Sequence, residues 1–204
     1  MTDITGHWQA IYSTKNASEV SWFEDVPRTS LDVVERLTSS DSSVIDVGAG
    51  ASHLVDHLIA DGYADLTVLD VSEAALATTR HRLAASLVQP TFLVADITTW
   101  QPSRHYDLWH DRAVFHFMTD VRMQSGYVKA MSSAVKPGGH AVVSTFADDG
   151  PEQCSGLSVV RYDEASLAAQ FASNFAAVES WRSTHVTPWR SEQRFIWVVL
   201  QRQP

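Results

Sequence analysis

A single cysteine, Cys154, stands in the 204 residues of this chain. That count alone excludes an internal disulfide and a cysteine-rich metal site. Basic residues are scarce: 15 Lys and Arg against 24 Asp and Glu leave a formal charge of −9. Gripping a phosphate backbone needs clustered Lys and Arg, so a nucleic-acid partner is not expected. No uninterrupted apolar run approaches the ~18 residues that suggest a membrane span. The start, MTDITGHWQA, has neither the basic segment nor the apolar core of a secretory signal. No membrane partner is expected, and a cytoplasmic location is the simplest reading. Internal repeats and low-complexity tracts are missing too.

What is present suits one globular domain. The hydrophobic share is 45%, ordinary for such a domain, and the length supports a sizeable core. The most informative stretch is VIDVGAG, residues 44–50. An apolar run carries an Asp just before a Gly-x-Gly turn, and a helix-like segment follows. This reads as a buried parallel strand feeding a tight turn, with glycines that let a ligand lie against the backbone. Asp46 would repel a phosphate at Gly48 and Gly50. A cationic or polar ligand fits that corner.

Around this turn the chain alternates. Strands are expected at 43–47, 66–71, 90–96, 106–111 and 140–146. Helices are expected at 31–37, 53–62 and 72–87, where Ser72 reads as an N-cap with Ala75 at N3. A further helix over 123–135 is expected to stop at Pro137-Gly138-Gly139, read as a turn. The tail differs: a helix over 162–172, then two strands, FAAVESWRSTHV and RFIWVVLQ, joined by a loop holding Pro188. The rhythm predicts an α/β fold: a mostly parallel seven-stranded, Rossmann-like sheet with helices on both faces and a C-terminal antiparallel hairpin. One domain over 1–204 is expected, with a lid segment at 1–30, a core at 31–147, and an acceptor-side loop and hairpin at 148–204.

Ligands of open α/β sheets sit at the carboxyl ends of the strands. Three predicted strand ends carry an acid. Asp70 is placed to accept from two ribose hydroxyls, Asp96 from an exocyclic amine, and Asp46 from a cationic amine. Here the chain resembles the class I S-adenosylmethionine-dependent methyltransferases. VIDVGAG, VLDVSEAAL, LVADITTW, YDLWHDRAVFHF and VKPGGHAVVSTF follow that family's order over roughly residues 40–147. The resemblance implies S-adenosyl-L-methionine as cofactor. It implies Gly48 and Gly50 flanking its methionine part, Asp70 for the ribose, Asp96 and Ile97 for the adenine, and Ala49 and Val71 among the other cofactor contacts. A nicotinamide-dependent oxidoreductase shares the sheet. Its fingerprint needs a third small residue, however, where His53 stands here. A non-catalytic binding module is the other alternative.

The segment 106–117 faces the methyl side in this reading. Its Trp-x-Asp-Arg-Ala portion is similar to the Trp-Asp-Arg-Gly segment of thiopurine methyltransferase-like enzymes, which methylate sulfur on small molecules. His110, Asp111 and Arg112 are the catalytic candidates, with His110 the preferred base and also near the cofactor. Asp111-Arg112 reads equally as a local ion pair or a helix-start charge arrangement. His116 reads as a packed histidine. The aromatics Trp8, Tyr12, Trp22 and Phe23 suggest a cover over the cofactor, with Tyr12 and Trp22 lining it. Cys154, Arg161 and Tyr162 are candidates for the acceptor side. His53 and His57 have helical metal-ligand spacing but lack the Glu of a zinc-protease motif, and no metal is expected. The expected acceptor is a small molecule, with a protein lysine as the alternative.

Overall fold

The computed structural model describes residues 3–204, so the first two residues of the predicted lid lie outside the described part. Helix α1 (Ile4–Thr14) opens the chain, followed by α2 (Arg28–Leu37) and strand β1 (Val44–Val47). Then come α3 (Leu54–Ala60), β2 (Leu66–Asp70), α4 (Glu73–Arg82), β3 (Thr91–Val94) and β4 (Tyr106–Arg112). Helix α5 (Val121–Ala134) leads into β5 (Val135–Phe146). A small hairpin, β6 (Gln153–Cys154) and β7 (Leu157–Ser158), precedes α6 (Glu164–Ala169), β8 (Phe175–Val186) and β9 (Glu192–Arg202).

The seven-stranded sheet has the order β3-β2-β1-β4-β5-β9-β8. The first five strands are parallel, and β9 joins β5 and β8 antiparallel. This is the sheet the alternating sequence predicts. β1 and β2 are buried at every position, which is why they read as apolar runs rather than as alternation. Val44, Ile45, Val47, Leu66, Val68 and Leu69 form the centre of the core. Each such side chain contributes roughly 1.5–3 kcal/mol by leaving water.

Local signals set the helix starts. The Ser72 hydroxyl accepts from the Ala75 N–H, as the sequence predicts. Asp120 and Asp163 cap α5 and α6 in the same way. Two expectations need correction. α5 ends at Ala134 and β5 begins at Val135, so the Pro-Gly-Gly stretch lies within a strand rather than stopping a helix. Tyr106 pairs with Val135, and Leu108 then pairs with His140. The intervening residues of β5 therefore bulge outward, where Pro137 has no N–H to pair and Gly138 adopts a φ of +79°. The β6–β7 hairpin is the second correction, a paired element inside a stretch read as loop.

The order of strands reverses between β1 and β4. A crevice opens there, at the carboxyl ends of the parallel strands.

Candidate active site

A cleft of about 980 Å³, mouth included, occupies that crevice. Its floor comes from strand ends: Val47 and Gly48 at the end of β1, Leu69 to Val71 at the end of β2, Ala95 to Thr98 after β3, and Arg112 to Val114 at the end of β4. α1 closes one side with Ile4, Thr5, Trp8 and Tyr12. Phe117, Met118, Phe146, Cys154, Gln193 and Phe195 form the far end. A smaller cavity adjoins it, lined by Asp46, Ala49, Ser52, His110, Ser30 and Glu24 among others. Tyr12, Trp22, Gly48 and Arg112 line both spaces and so form the wall between them.

The glycine turn is read correctly in shape and differently in cause. Gly48 and Gly50 have φ of +60° and +57°, the left-handed region that favours glycine. A Cβ on Gly48 would meet Val114 Cγ2 at 2.1 Å, and one on Gly50 would meet the Tyr12 hydroxyl at 2.1 Å. The missing side chains make room for this protein's own residues as well as for a ligand. Gly50→Ala is therefore expected to push Tyr12 out of the wall and to strain the turn, with a stability loss of about 1 kcal/mol. Thermal unfolding together with Tyr12 fluorescence or solvent accessibility measures both. An unchanged Tyr12 environment would contradict this contact.

The three acids differ in what they leave open. Asp70 sits at 6% exposure and accepts from the Gly50 N–H and the Ser72 N–H, both at 2.8 Å. Burial pushes its carboxyl up to about 6, against the pull of those two backbone donors. Asp96 is exposed, and its Oδ1 accepts from the Thr98 N–H and hydroxyl. Its Oδ2 makes no hydrogen bond to a described residue. Asp46 uses one oxygen on His110 Nδ1 at 2.7 Å, and its other oxygen likewise has no described partner. Val71 and Ile97 line the main cleft, and Ala49 lines the smaller cavity.

His110 is held from both sides. A carboxylate only accepts, so Nδ1–H donates to Asp46, and Nε2 accepts from the Ser30 hydroxyl at 3.0 Å. Asp46 and His110 are register partners across β1 and β4. His110 is 2% exposed, and it lines the smaller cavity, not the main cleft.

Asp111 points the other way, because successive strand residues alternate. It is fully buried. Its oxygens accept from the Val114 and Phe115 N–H groups at 2.8 and 3.0 Å, and from the Tyr127 hydroxyl. Burial raises its carboxyl to about 7 against the Tyr127 hydrogen bond. It lines neither space, and its hydrogen bonds are those of a cap on the turn after β4. The turn it caps includes Ala113, a non-glycine residue at φ 71°, a conformation worth roughly 1–2 kcal/mol of strain.

Arg112 does face the cleft. Its Nη1 donates to the Trp22 carbonyl at 2.9 Å and its Nη2 to Glu24 at 2.9 Å. His185 contacts the same Glu24 oxygen at 2.9 Å. Burial raises the Glu24 carboxyl, but the His185 hydrogen bond and the Arg112 charge outweigh it and hold it below its ordinary range. The guanidinium also lies 5.6 Å from the Phe195 ring centre. Arg112 is thus not paired with Asp111.

Among the acceptor-side candidates, Cys154 lines the cleft. Arg161 and Tyr162 do not: Arg161 pairs with Glu152 and the Gly150 carbonyl, and Tyr162 packs against Phe115. His116 is buried as read, its Nδ1 facing the Phe146 N–H. His53 and His57 both turn toward the Asp25 carbonyl. Residues the sequence did not single out are Ser30, Glu24, His185 and Gln193. His185, near the end of β8, brings that strand to the site through Glu24 and the Ser21 carbonyl.

A model of the methyltransferase domain matches residues 44–139. Malonyl-[acyl-carrier protein] O-methyltransferase 2 of Ilyobacter polytropus is 25% identical over 108 residues. That match covers 52% of this chain and spans 40% of the relative's length. Among solved structures, the N-methyltransferase NodS of Bradyrhizobium japonicum, in complex with S-adenosyl-L-homocysteine, superposes with a TM-score of 0.75 at 18% identity. It covers 97% of this chain and 100% of that one. The 1,6-didemethyltoxoflavin-N1-methyltransferase of Burkholderia thailandensis gives 0.71 at 16% identity, over 95% and 81% of the two chains. At these identities the structures establish the fold. The domain match covers 96 of the 204 residues, and the structures give the chain the Rossmann-like fold of these methyltransferases.

Proposed function

We propose that this chain transfers the methyl group of S-adenosylmethionine to a small molecule held at the far end of the cleft. The observation that carries this is the row of carboxylates at the strand ends. Asp70 and Asp96 line the main cleft and Asp46 the smaller cavity beside it, and Asp46 and Asp96 each keep an oxygen without a described partner. A ligand with an ammonium, a ribose and an adenine amine would meet an acceptor for each, and no phosphate would be tolerated there. The residues fit the cofactor: Asp46 for the ammonium, Asp70 and Val71 for the ribose, Asp96 and Ile97 for the adenine. Gly48 to Gly50 would run along the methionine part.

Once bound, the cofactor supplies a methyl on a sulfonium, an electrophile that needs no activation by the protein. What the chain's own residues contribute is alignment, which accounts for ~7–11 kcal/mol in well-oriented reactions. Tyr12 and Trp22 offer aromatic faces at the wall between the two spaces, and such faces attract a cation by ~0.5–2 kcal/mol each. We read residues 1–30 as the cover of this site and 148–204 as its acceptor side. The enclosure by α1 and β9 favours a small acceptor over a protein side chain.

Calorimetry with S-adenosylmethionine, S-adenosylhomocysteine and NADH tests the cofactor. Binding of the first two and not the third is expected, and NADH binding alone would overturn the reading. Arg112→Ala is expected to lower turnover by about 10–100-fold, the loss of a charged hydrogen bond, and to change cofactor affinity far less. Equal loss in both would remove Arg112 from the acceptor side. Cofactor binding with no turnover on any thiol, amine, phenol or carboxylate would favour a non-catalytic module.

A further inference from the structure

The far end of the cleft is mostly apolar. Phe117, Met118, Phe146 and Phe195 make its walls, and Cys154 and Gln193 add a thiol and an amide. Apart from the cofactor-side Asp70 and Asp96, Arg112 is the one charged side chain lining the cleft among the described residues. Among the described residues, no histidine, lysine or glutamate lines it.

This composition bears on how an acceptor can lose a proton. An alcohol, phenol or ammonium must be deprotonated on the way to the methyl, which calls for a base within hydrogen-bond reach. The groups present are poor bases. Arg112 is a permanent cation, and Gln193 is neutral. The Cys154 thiol is pushed up to about 12 by burial. Burial and the nearby Asp70 raise the Tyr12 hydroxyl further above its ordinary range. The nearby candidates are committed elsewhere: His110 to Asp46 and Ser30, Asp111 to its turn, Glu24 to Arg112 and His185. His116 is fully buried outside the cleft lining, and burial lowers it to about 3.

Arg112 supplies the complementary observation. Two of its nitrogens are spent on Trp22 and Glu24, while its Nε–H has no described partner. Glu24 lines the smaller cavity and not this end. A guanidinium bordering an apolar end, with a donor to spare, recognises an anion and repels an ammonium.

Resting on the cofactor reading above, we infer that the acceptor arrives with its nucleophilic atom already anionic, a carboxylate or a thiolate on a small apolar body, oriented by Arg112. The acceptor's lone pair forms the bond to the methyl carbon as the carbon–sulfur bond breaks, and that electron pair stays on sulfur. A carboxylate becomes a neutral ester and a thiolate a neutral thioether. No proton passes to the protein. The product has lost the charge that Arg112 holds, which favours its release.

The test is a panel on one aryl scaffold: a carboxylate, thiols of graded acidity, a phenol, an alkylamine and an alcohol, each with S-adenosylmethionine across mildly acidic to mildly alkaline pH. Methylation of the carboxylate or the thiols is expected, and which of them reacts identifies the anion. For thiols, kcat/KM should follow the thiolate fraction, with an inflection that moves with each thiol's own pKa. For a carboxylate it should stay level. Arg112→Gln should raise KM for the anionic acceptor by about 10-fold or more and leave cofactor affinity nearly as it was. Methylation confined to the phenol, amine or alcohol overturns the inference. So does an inflection common to every acceptor, which would belong to a base on the enzyme. Cofactor binding without reaction of any panel member overturns it as well and leaves the cofactor assignment standing. Failure to bind the cofactor strikes the cofactor assignment itself. The wild-type pH profiles decide the matter even if the Arg112 variant does not fold.

Discussion

Asp111→Ala is expected to lower the unfolding free energy by about 3 kcal/mol. Three donors would lose their acceptor: the Val114 and Phe115 N–H groups and the Tyr127 hydroxyl. Hydrogen bonds to a charged group contribute roughly 1.5–3 kcal/mol each. Relieving a buried carboxylate of its desolvation returns several kcal/mol of that sum, so the net loss is well below the gross one. For a chain of this size the melting temperature should fall by roughly 6–12 °C. Damage spreads along a defined path. Trp109 Nε1 donates to the Tyr127 hydroxyl at 3.0 Å, so that group loses its anchor. The strained turn at Ala113 loses its cap, and with it the placement of Val114, Phe117 and Met118 on the cleft wall. Asp111→Asn keeps one accepting oxygen and should fall between the two. Thermal denaturation of both variants checks this. A catalytic Asp111 would give the opposite pattern, with melting within about 2 °C of the parent and turnover gone.

The sheet was legible because its signals are local and repeated. The apolar runs that hold Asp46 and Asp70, the cap at Ser72, and the Pro188 loop between two strand-like segments each specify an element by themselves. The site was legible only where it coincides with strand ends. Asp46 and His110 meet because parallel pairing sets them side by side, and a register is a tertiary fact. Ser30 reaches the same histidine from a helix 80 residues earlier, and Glu24 and His185 are 161 residues apart in sequence. No spacing rule connects such positions. Asp111 is a different case. The period of two on β4 already puts it on the face opposite His110 and Arg112, and the capping geometry is local. Reading the three as one cluster ignored a signal that was present. The Pro-Gly-Gly stretch misled for the reverse reason: its turn chemistry is real, yet pairing on either side absorbs it as a bulge in β5.

Removal of the Asp70 carboxylate is expected to have the largest effect on cofactor binding. That group pins the glycine turn through the Gly50 N–H and the start of α4 through the Ser72 N–H. Asp70→Ala should weaken S-adenosylmethionine binding by about 1–3 kcal/mol through lost ribose hydrogen bonds, toward the upper end because the turn also loosens. That is roughly a 5–150-fold rise in Kd. Binding should also depend on pH, with a sign fixed by the carboxyl. Burial holds it up near 6 in the free protein. Hydroxyl donors and a cationic ligand favour the ionised form, so the bound state should lower that value. Affinity is then full above about pH 6 and falls as the pH drops through it, with protons released on binding in that window. Calorimetry in buffers of different ionisation enthalpy reads the released protons directly. Asp70→Asn should flatten the acid limb, because the group that titrates is gone. A wild-type affinity that stays level from neutral to pH about 5 would separate Asp70 from the ribose and leave it only its backbone contacts.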